Sequence, residues 1–284
     1  MSSQIEILNK TIGKNSLTFV IAEIGINHNG NLREAIQLIS AAKEAGADAV
    51  KFQSYTTDKR VKKDSPLFDI LMKCELSHEN QKELFDVAKH IGIIPFSTPF
   101  DEESIDFLES INCPAYKVAS FDTVNKQLLR KLRGTNKPII MSTGMTSIDE
   151  LGEAWIELGG KKDGSGCKLA LLHCISSYPT PIDEANLAMI SLLKNLHGGP
   201  VGYSDHTIGV EIPIMAVISG AQIIEKHFTL DKSLSGPDHA MSADPETLKE
   251  MIQGIRRAEI ILGAAEMRSR EIEASSVIYR RPTS

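Results

Sequence analysis

The feature that most constrains this chain is a repeated alternation. Short runs rich in branched apolar residues recur at FVIAEI (19–24), DAVKFQ (48–53), GIIPFS (92–97), PAYKVA (114–119), KPIIMS (137–142), KLALLH (168–173), PVGYS (200–204) and AQIIEK (221–226). Stretches with helical spacing separate them. In NLREAIQLISAAKEAG, Leu32, Ala35, Ile36, Ile39 and Ala42 share a face and Gly46 suits the stop. SIDELGEAWIELG opens with Ser147 and has Glu150 three residues on, the spacing of a capping box. DPETLKEMIQGIRRAEIILG carries Pro245 in its first turn. Strands alternating with helices pair in parallel, and eight such units between residues 18 and 262 predict closure into an α/β fold of the (β/α)8 or TIM-barrel type. A doubly wound open sheet ranks lower, because the first strand–helix junction, EIGINHNGN, lacks the G-x-G-x-x-G fingerprint.

This reading divides the chain into an N-terminal extended or hairpin segment (1–17), the barrel (18–265) and a C-terminal tail (266–284). Segment 54–77 is a long insertion after the second barrel strand, with one short helical piece, PLFDILMKC. Insertions there usually lie over the active site.

Composition narrows the partners. Against 31 Lys and Arg stand 37 Asp and Glu, a net charge of −6, which argues against a nucleic-acid surface. An anionic substrate must therefore be held by a local cluster of cations. The start, MSSQIEILNK, shows no signal pattern and no apolar run approaches membrane-spanning length. The four cysteines (Cys74, Cys113, Cys167, Cys174) are scattered without a C-x-x-C pair, so reduced thiols in a cytoplasmic protein are expected, and not a zinc ribbon.

In a barrel of this kind chemistry gathers at the C-terminal strand ends, and the polar residues fall there. The eight ends supply, in order, Glu23 with Asn27 and His28; Lys51 and Gln53; Ser97, Thr98 and Asp101; Lys117 and Ser120; Ser142 and Thr143; His173 and Tyr178; Ser204, Asp205 and His206; and Glu225 and His227, with Lys226 on the opposite face. A single strand lysine usually snorkels or pairs, a single histidine usually bonds within the core, and Asp205 could be an N-cap. The pattern gains weight because all eight ends show it. Lys51 and Lys117 could converge on one anion, with Ser97, Thr98, Ser120, Ser142 and Ser204 as hydroxyl donors, which suits a phosphate or a phosphate plus a carboxylate. His206 and His227 end neighbouring strands and could share a divalent ion. Two imidazoles without a third soft ligand do not make a structural zinc site. They suit an open octahedral ion such as Mn²⁺ or Mg²⁺, which would polarise a carbonyl. Glu23 and Glu225 remain for proton transfer or for binding hydroxyls.

The segments IAEIGINHNG, DAVKFQ, FSTPFD, AYKVAS, IIMSTGM, HC-x-x-x-YPTP, GYSDHT, EKHFT and GPDH, in this order, resemble the sialic acid synthase family, the phosphoenolpyruvate-dependent nonulosonic acid synthases. The resemblance implies a (β/α)8 barrel that condenses phosphoenolpyruvate with the open-chain aldehyde of an N-acetylmannosamine-like sugar and releases phosphate. It implies Mn²⁺ or Mg²⁺ on His206 and His227. Phosphoenolpyruvate would fall to Lys51, Thr98, Lys117, Ser120, Ser142 and Ser204. Gln53, Tyr178, Glu225 and Asp238 would face the sugar, and Glu23 would stand between the metal and the reacting carbons. Together with His206 and His227, Glu23 forms the expected catalytic set. The family usually dimerises and continues into a small antifreeze-like domain that gives an arginine to the partner's sugar site. This sequence stops at SSVIYRRPTS, where the linker would begin, so that domain is expected to be absent here: cut away, on another polypeptide, or missing from a short relative. Arg280 and Arg281 are the nearest arginines that could replace it. Two other readings compete: a barrel subunit that binds phosphoenolpyruvate or sugar but needs a partner chain for turnover, and a Schiff-base aldolase using Lys51 or Lys117.

Overall fold

The N-terminal segment folds back on itself. In the computed structural model, which describes residues 4–160, 167–264, 266–268 and 270–281, β1 (Gln4–Ile7) and β2 (Lys10–Gly13) form an antiparallel hairpin. The outer ends of the expected extension (1–3) and tail (282–284), and residues 265 and 269, lie outside the described residues. The hairpin buries Ile5, Ile7 and Ile12 in the main core. It lies at the strand-start end of the barrel, where Lys10 reaches Asp48 at 2.7 Å and Arg256 reaches the same carboxylate at 3.4 Å.

Each of the eight apolar runs forms a strand. They are β3 (Phe19–Gly25), β4 (Ala49–Ser54), β5 (Ile94–Pro99), β6 (Tyr116–Val118), β7 (Ile139–Ser142), β8 (Leu169–His173), β9 (Val201–Asp205) and β10 (Ile223–His227). All pair in parallel in chain order, and β10 returns to β3, closing the barrel. Strands buried on both faces are apolar along most of their length, and these runs are broken chiefly by polar residues that point into the barrel, such as Lys51 in β4 and Lys117 in β6.

The helices are α1 (Leu32–Ala45), α2 (Thr57–Arg60), α3 (Phe68–Cys74), α4 (His78–Ile91), α5 (Glu102–Ser110), α6 (Lys126–Gly134), α7 (Ile148–Glu157), α8 (Ala188–His197), α9 (Glu211–Ile218) and α10 (Pro245–Leu262). α1 ends as its sequence predicts, on Gly46 at φ +96°. Its buried face is Ala35, Leu38, Ile39, Ala42 and Ala45, with Leu32 and Ile36 at its margin. Ser147 caps α7, and the capping box with Glu150 is formed on both sides. The 54–77 insertion holds two short helices, α2 and α3, rather than one. α3 packs Leu71 and Cys74 with Ile26 and Tyr55 in a small satellite core above the strand ends.

β3 carries an irregularity that aims its carboxylate. Glu23 pairs with Lys51, but Gly25 pairs with Phe52, so one residue is bulged between them. Gly25 has φ +55°, and a Cβ there would lie 3.1 Å from Glu23 Oε1 and 3.3 Å from Gln53 Nε2. The strand bends at glycine because two polar side chains fill the space a larger residue would take. No helix among the described residues is long and apolar enough to cross a membrane.

Candidate active site

A cavity of about 570 Å³ opens at the C-terminal ends of the barrel strands, within the size range of small-molecule sites. Thirteen of the candidate residues line it: Glu23, Lys51, Gln53, Thr98, Lys117, Ser120, Ser142, Tyr178, Ser204, His206, Glu225, His227 and Asp238. They come from seven of the eight strands and from the loops at the strand ends, with β8 represented only by Tyr178 in the loop that follows it.

The floor is a buried ionic cluster. Lys51 Nζ lies 2.8 Å from Glu23 Oε2 and 3.7 Å from Glu225 Oε2, and it donates to Thr98 Oγ1 at 3.1 Å. The close Lys51–Glu23 contact lies off hydrogen-bond alignment, so Oε2 of Glu23, like Oε2 of Glu225, remains without a hydrogen-bond donor. Lys117 Nζ donates to Ser142 Oγ at 2.6 Å and stands 3.8 Å from Glu225 Oε1, which also accepts from Ser204 Oγ at 2.9 Å. Gln53 Nε2 donates to Glu23 Oε1 at 3.1 Å. Two ammonium groups thus flank one carboxylate, with short hydroxyls around them.

These neighbours separate the two carboxylic acids. Burial, and then the charge of Glu225, raise Glu23 to about 7 against the pull of Lys51. Burial acts on Glu225 in the same sense, but Lys117 and Lys51 overcome it and hold Glu225 below the usual range. Burial opposes the Lys51 ammonium, yet Glu225 and Glu23 outweigh it and raise its pKa. For Lys117 burial prevails, with the like charge of Lys51 adding to it, and its pKa is lowered. One acid near neutrality beside one firmly ionised is an arrangement that lets a site move a proton at pH 7.

The histidine pair forms one wall. The rings of His206 and His227 stand 5.5 Å apart, and Tyr178 covers His206 at 4.3 Å. His206 Nδ1 lies 2.8 Å from the Ile175 carbonyl, which can only accept, so Nδ1 carries the proton and Nε2 keeps its lone pair. Burial, then the neighbouring His227, lower His206 to about 4, and burial likewise lowers His227. Nδ1 of His227 is buried without a hydrogen-bond partner, 3.7 Å from Asp238 Oδ2. Two neutral imidazoles, one with an orphaned nitrogen, are suitable donors for a divalent ion. Among the described residues no group of three His, Cys, Asp or Glu side chains could hold a metal, so water and substrate would complete the coordination.

The opposite strand face explains Lys226. Strand alternation turns it away from the cavity, where its Nζ meets Asp205 Oδ2 and the Thr207 carbonyl, each at 2.5 Å. Asp205 caps no helix: its other oxygen accepts from the Thr207 N–H and hydroxyl at 3.0 and 2.8 Å. This pair bridges β9 and β10 directly behind His206 and His227.

Several polar strand-end residues do not join the cavity. Ser97 pairs with Ser54 at 2.7 Å, on the face opposite Thr98, so it is not one of the hydroxyl donors. His173 bonds the Ala185 carbonyl at 2.9 Å, and Asn27 straps β3 to Phe228 and Ser242. His28 accepts from the Gly30 N–H at 3.0 Å. Arg280 and Arg281 are exposed in the tail and do not line the cavity. In contrast, Arg60, Asp122 and Cys174 do line it, though strand-end position does not single them out. Asp122 and Cys174 lie one or two residues beyond Ser120 and His173; Arg60 sits in a run, TTDKRVKKD, that reads as a solvated loop.

Comparison with known proteins adds to this geometry. The profile of the NeuB family matches residues 38–267. The chain is 48% identical over 264 residues to an uncharacterized protein of Methanocaldococcus jannaschii, covering 93% of this chain and 77% of that one. It is 42% identical over 280 residues to the N,N'-diacetyllegionaminic acid synthase of Legionella pneumophila, covering 93% of this chain and 78% of the relative. The solved structure of the N-acetylneuraminic acid (sialic acid) synthetase of Leptospira borgpetersenii, in complex with citrate, superposes with a TM-score of 0.93 at 36% identity, over 99% of this chain and 97% of that one.

Proposed function

The chain belongs to the NeuB family, and on that premise we propose that it condenses phosphoenolpyruvate with the open-chain aldehyde of an N-acetylmannosamine-like sugar, giving a nine-carbon 2-keto sugar acid and phosphate. The observation that carries this reading is the convergence of Lys51 and Lys117 on Glu225, ringed by Thr98, Ser142 and Ser204, beside two neutral histidines. Two ammonium groups and hydroxyl donors suit a ligand with a phosphate and a carboxylate. A bound dianion would also relieve the crowding of the two lysines.

In this reading Lys51, Thr98, Lys117, Ser120, Ser142 and Ser204 hold phosphoenolpyruvate. Gln53, Tyr178, Glu225 and Asp238 face the sugar. His206 and His227 would hold Mn²⁺ or Mg²⁺, which supplies Lewis-acid polarisation of the aldehyde oxygen. C3 of phosphoenolpyruvate attacks the aldehyde carbon: the new C–C bond forms as the C=O π pair moves onto the aldehyde oxygen, which takes a proton from solvent and becomes a hydroxyl, and C2 is left electron-poor. Water adds at C2, and Glu23 takes its proton. The tetrahedral centre then collapses with cleavage of the C–O bond to phosphate, and the 2-keto acid forms. A carboxyl near 7 is matched to that transfer.

The test is phosphate release from phosphoenolpyruvate with N-acetylmannosamine, its 6-phosphate and a 2,4-diacetamido hexose, each with Mn²⁺ and with EDTA. Sugar-dependent release that EDTA abolishes supports the reading. Measurable phosphoenolpyruvate binding without release from any sugar would favour the barrel subunit that needs a partner chain.

A further inference from the structure

One cation in the cavity has no place in that reaction. Arg60 ends α2 in the 54–77 insertion and is partly buried. Its guanidinium carbon lies 3.8 Å from the ring centre of Phe100 and 4.5 Å from that of Tyr55, and Nη1 donates to Gln53 Oε1 at 2.9 Å. These contacts fix the plane of the group but satisfy one N–H. Among the described residues Arg60 makes no salt bridge, so N–H donors remain on a rigid fork at the cavity wall.

Its surroundings decide which acceptor suits it. The same wall carries Val61, Leu67 and Ile70, with Leu67 and Ile70 partly open to solvent. Asp122 and Asp238 also line the cavity, and Asp122 Oδ2 is buried with no hydrogen-bond partner. A phosphate monoester placed here would meet one guanidinium and two carboxylates. The other lining cations are engaged: Lys59 pairs with Glu103, and Lys51 and Lys117 form the floor cluster. A neutral amide asks for much less. Its carbonyl needs one donor, its N–H one acceptor, and its methyl an apolar surface.

We infer that Arg60 recognises the acylamino group of a neutral sugar, with its carbonyl accepting from the guanidinium, its N–H facing Asp122 and its acyl methyl resting against Leu67 and Ile70, and that this wall disfavours a sugar 6-phosphate. The inference rests on the condensation proposed above and adds the residue that sets specificity for its second substrate.

The experiment compares wild type with Arg60→Ala in the presence of phosphoenolpyruvate. Binding of N-acetylmannosamine, a 2,4-diacetamido hexose, mannose and N-acetylmannosamine 6-phosphate is measured by ligand-observed NMR, and KM is measured for each sugar that turns over. Wild type is expected to bind an acylated neutral sugar at least tenfold better than mannose or the 6-phosphate. Arg60→Ala should remove most of that preference, weakening acylated sugars about tenfold while changing mannose, and the KM for phosphoenolpyruvate, less than twofold. Equal losses for mannose and the acylated sugars would overturn the inference, because Arg60 would then merely prop Gln53. So would a wild-type preference for the 6-phosphate. No binding of any sugar by wild type would overturn the condensation as well, which separates the two failures.

Discussion

One ammonium, that of Lys51, is shared between two carboxylates, 2.8 Å from Glu23 and 3.7 Å from Glu225. The two acids are therefore inequivalent: Glu23 is raised to about 7 by burial and by Glu225, whereas Lys117 and Lys51 hold Glu225 ionised. If Glu23 takes the proton of the attacking water, it must be ionised, so kcat/KM for phosphoenolpyruvate, which reports the free enzyme, should rise with pH through about 7. Glu23→Gln should lower kcat by about 10²–10⁴-fold, the usual weight of a general base, and flatten that limb. A rising limb that persists in Glu23→Gln would take Glu23 out of the proton transfer.

His206→Ala removes one of two imidazoles and should abolish Mn²⁺ binding, read by electron paramagnetic resonance of the free ion, with the circular dichroism spectrum unchanged. EDTA should stop phosphate release by wild type. Full activity in metal-stripped His206→Ala protein would sink the assignment.

Behind that pair, Lys226 and Asp205 are almost wholly buried and bonded to each other. Removing one member leaves the other uncompensated, which costs about 3–5 kcal/mol. Lys226→Met should lower unfolding stability in guanidinium by that order, and Lys226→Met with Asp205→Leu should recover much of it. If the double variant is no more stable than the single one, the loss lies in packing and not in the orphaned charge.

Protonation of His28 would break its acceptance of the Gly30 N–H, and burial lowers its pKa from 6.5 to about 4. Between those values the unfolded chain binds a proton that the folded chain excludes. Stability from this group is thus complete above about 6.5 and is lost as pH falls toward 4, by about 3 kcal/mol at 1.36 kcal/mol per unit. Urea titrations at pH 7.5 and 5 should show a smaller loss in His28→Gln than in wild type. Equal losses would place the acid sensitivity elsewhere.

Lys117 is the lysine whose pKa is lowered, chiefly by burial, and an amine nucleophile needs such a shift. Its Nζ is nevertheless engaged with Ser142 and the Val118 carbonyl. Borohydride with pyruvate should leave the mass of the protein unchanged. A covalent adduct on Lys117 or Lys51 would replace the condensation with imine chemistry.

The barrel and the floor of its cavity were legible in the sequence because both are written in local period. Apolar runs mark strands buried on two faces, Ser147 and Glu150 announce a helix start, and polar residues at the run ends place Lys51, Lys117, His206 and Glu225 at one mouth. Alternation also turned Lys226 away. It put Ser97 and Thr98 on opposite faces as well, but it did not show that Asp205 would answer Lys226, nor that Ser54 would bond Ser97 and Lys51 would bond Thr98, because those pairings depend on register between strands distant in the chain. Arg60 was illegible for a stronger reason. Nothing in TTDKRVKKD distinguishes it from its solvated neighbours until α2 lays it on Phe100 and Tyr55. The different acidities of Glu23 and Glu225 were likewise decided in space. Sequence period determined which residues reach the mouth of the barrel; only tertiary structure set the distances between them, and charge interactions, unlike periodicity, depend on those distances.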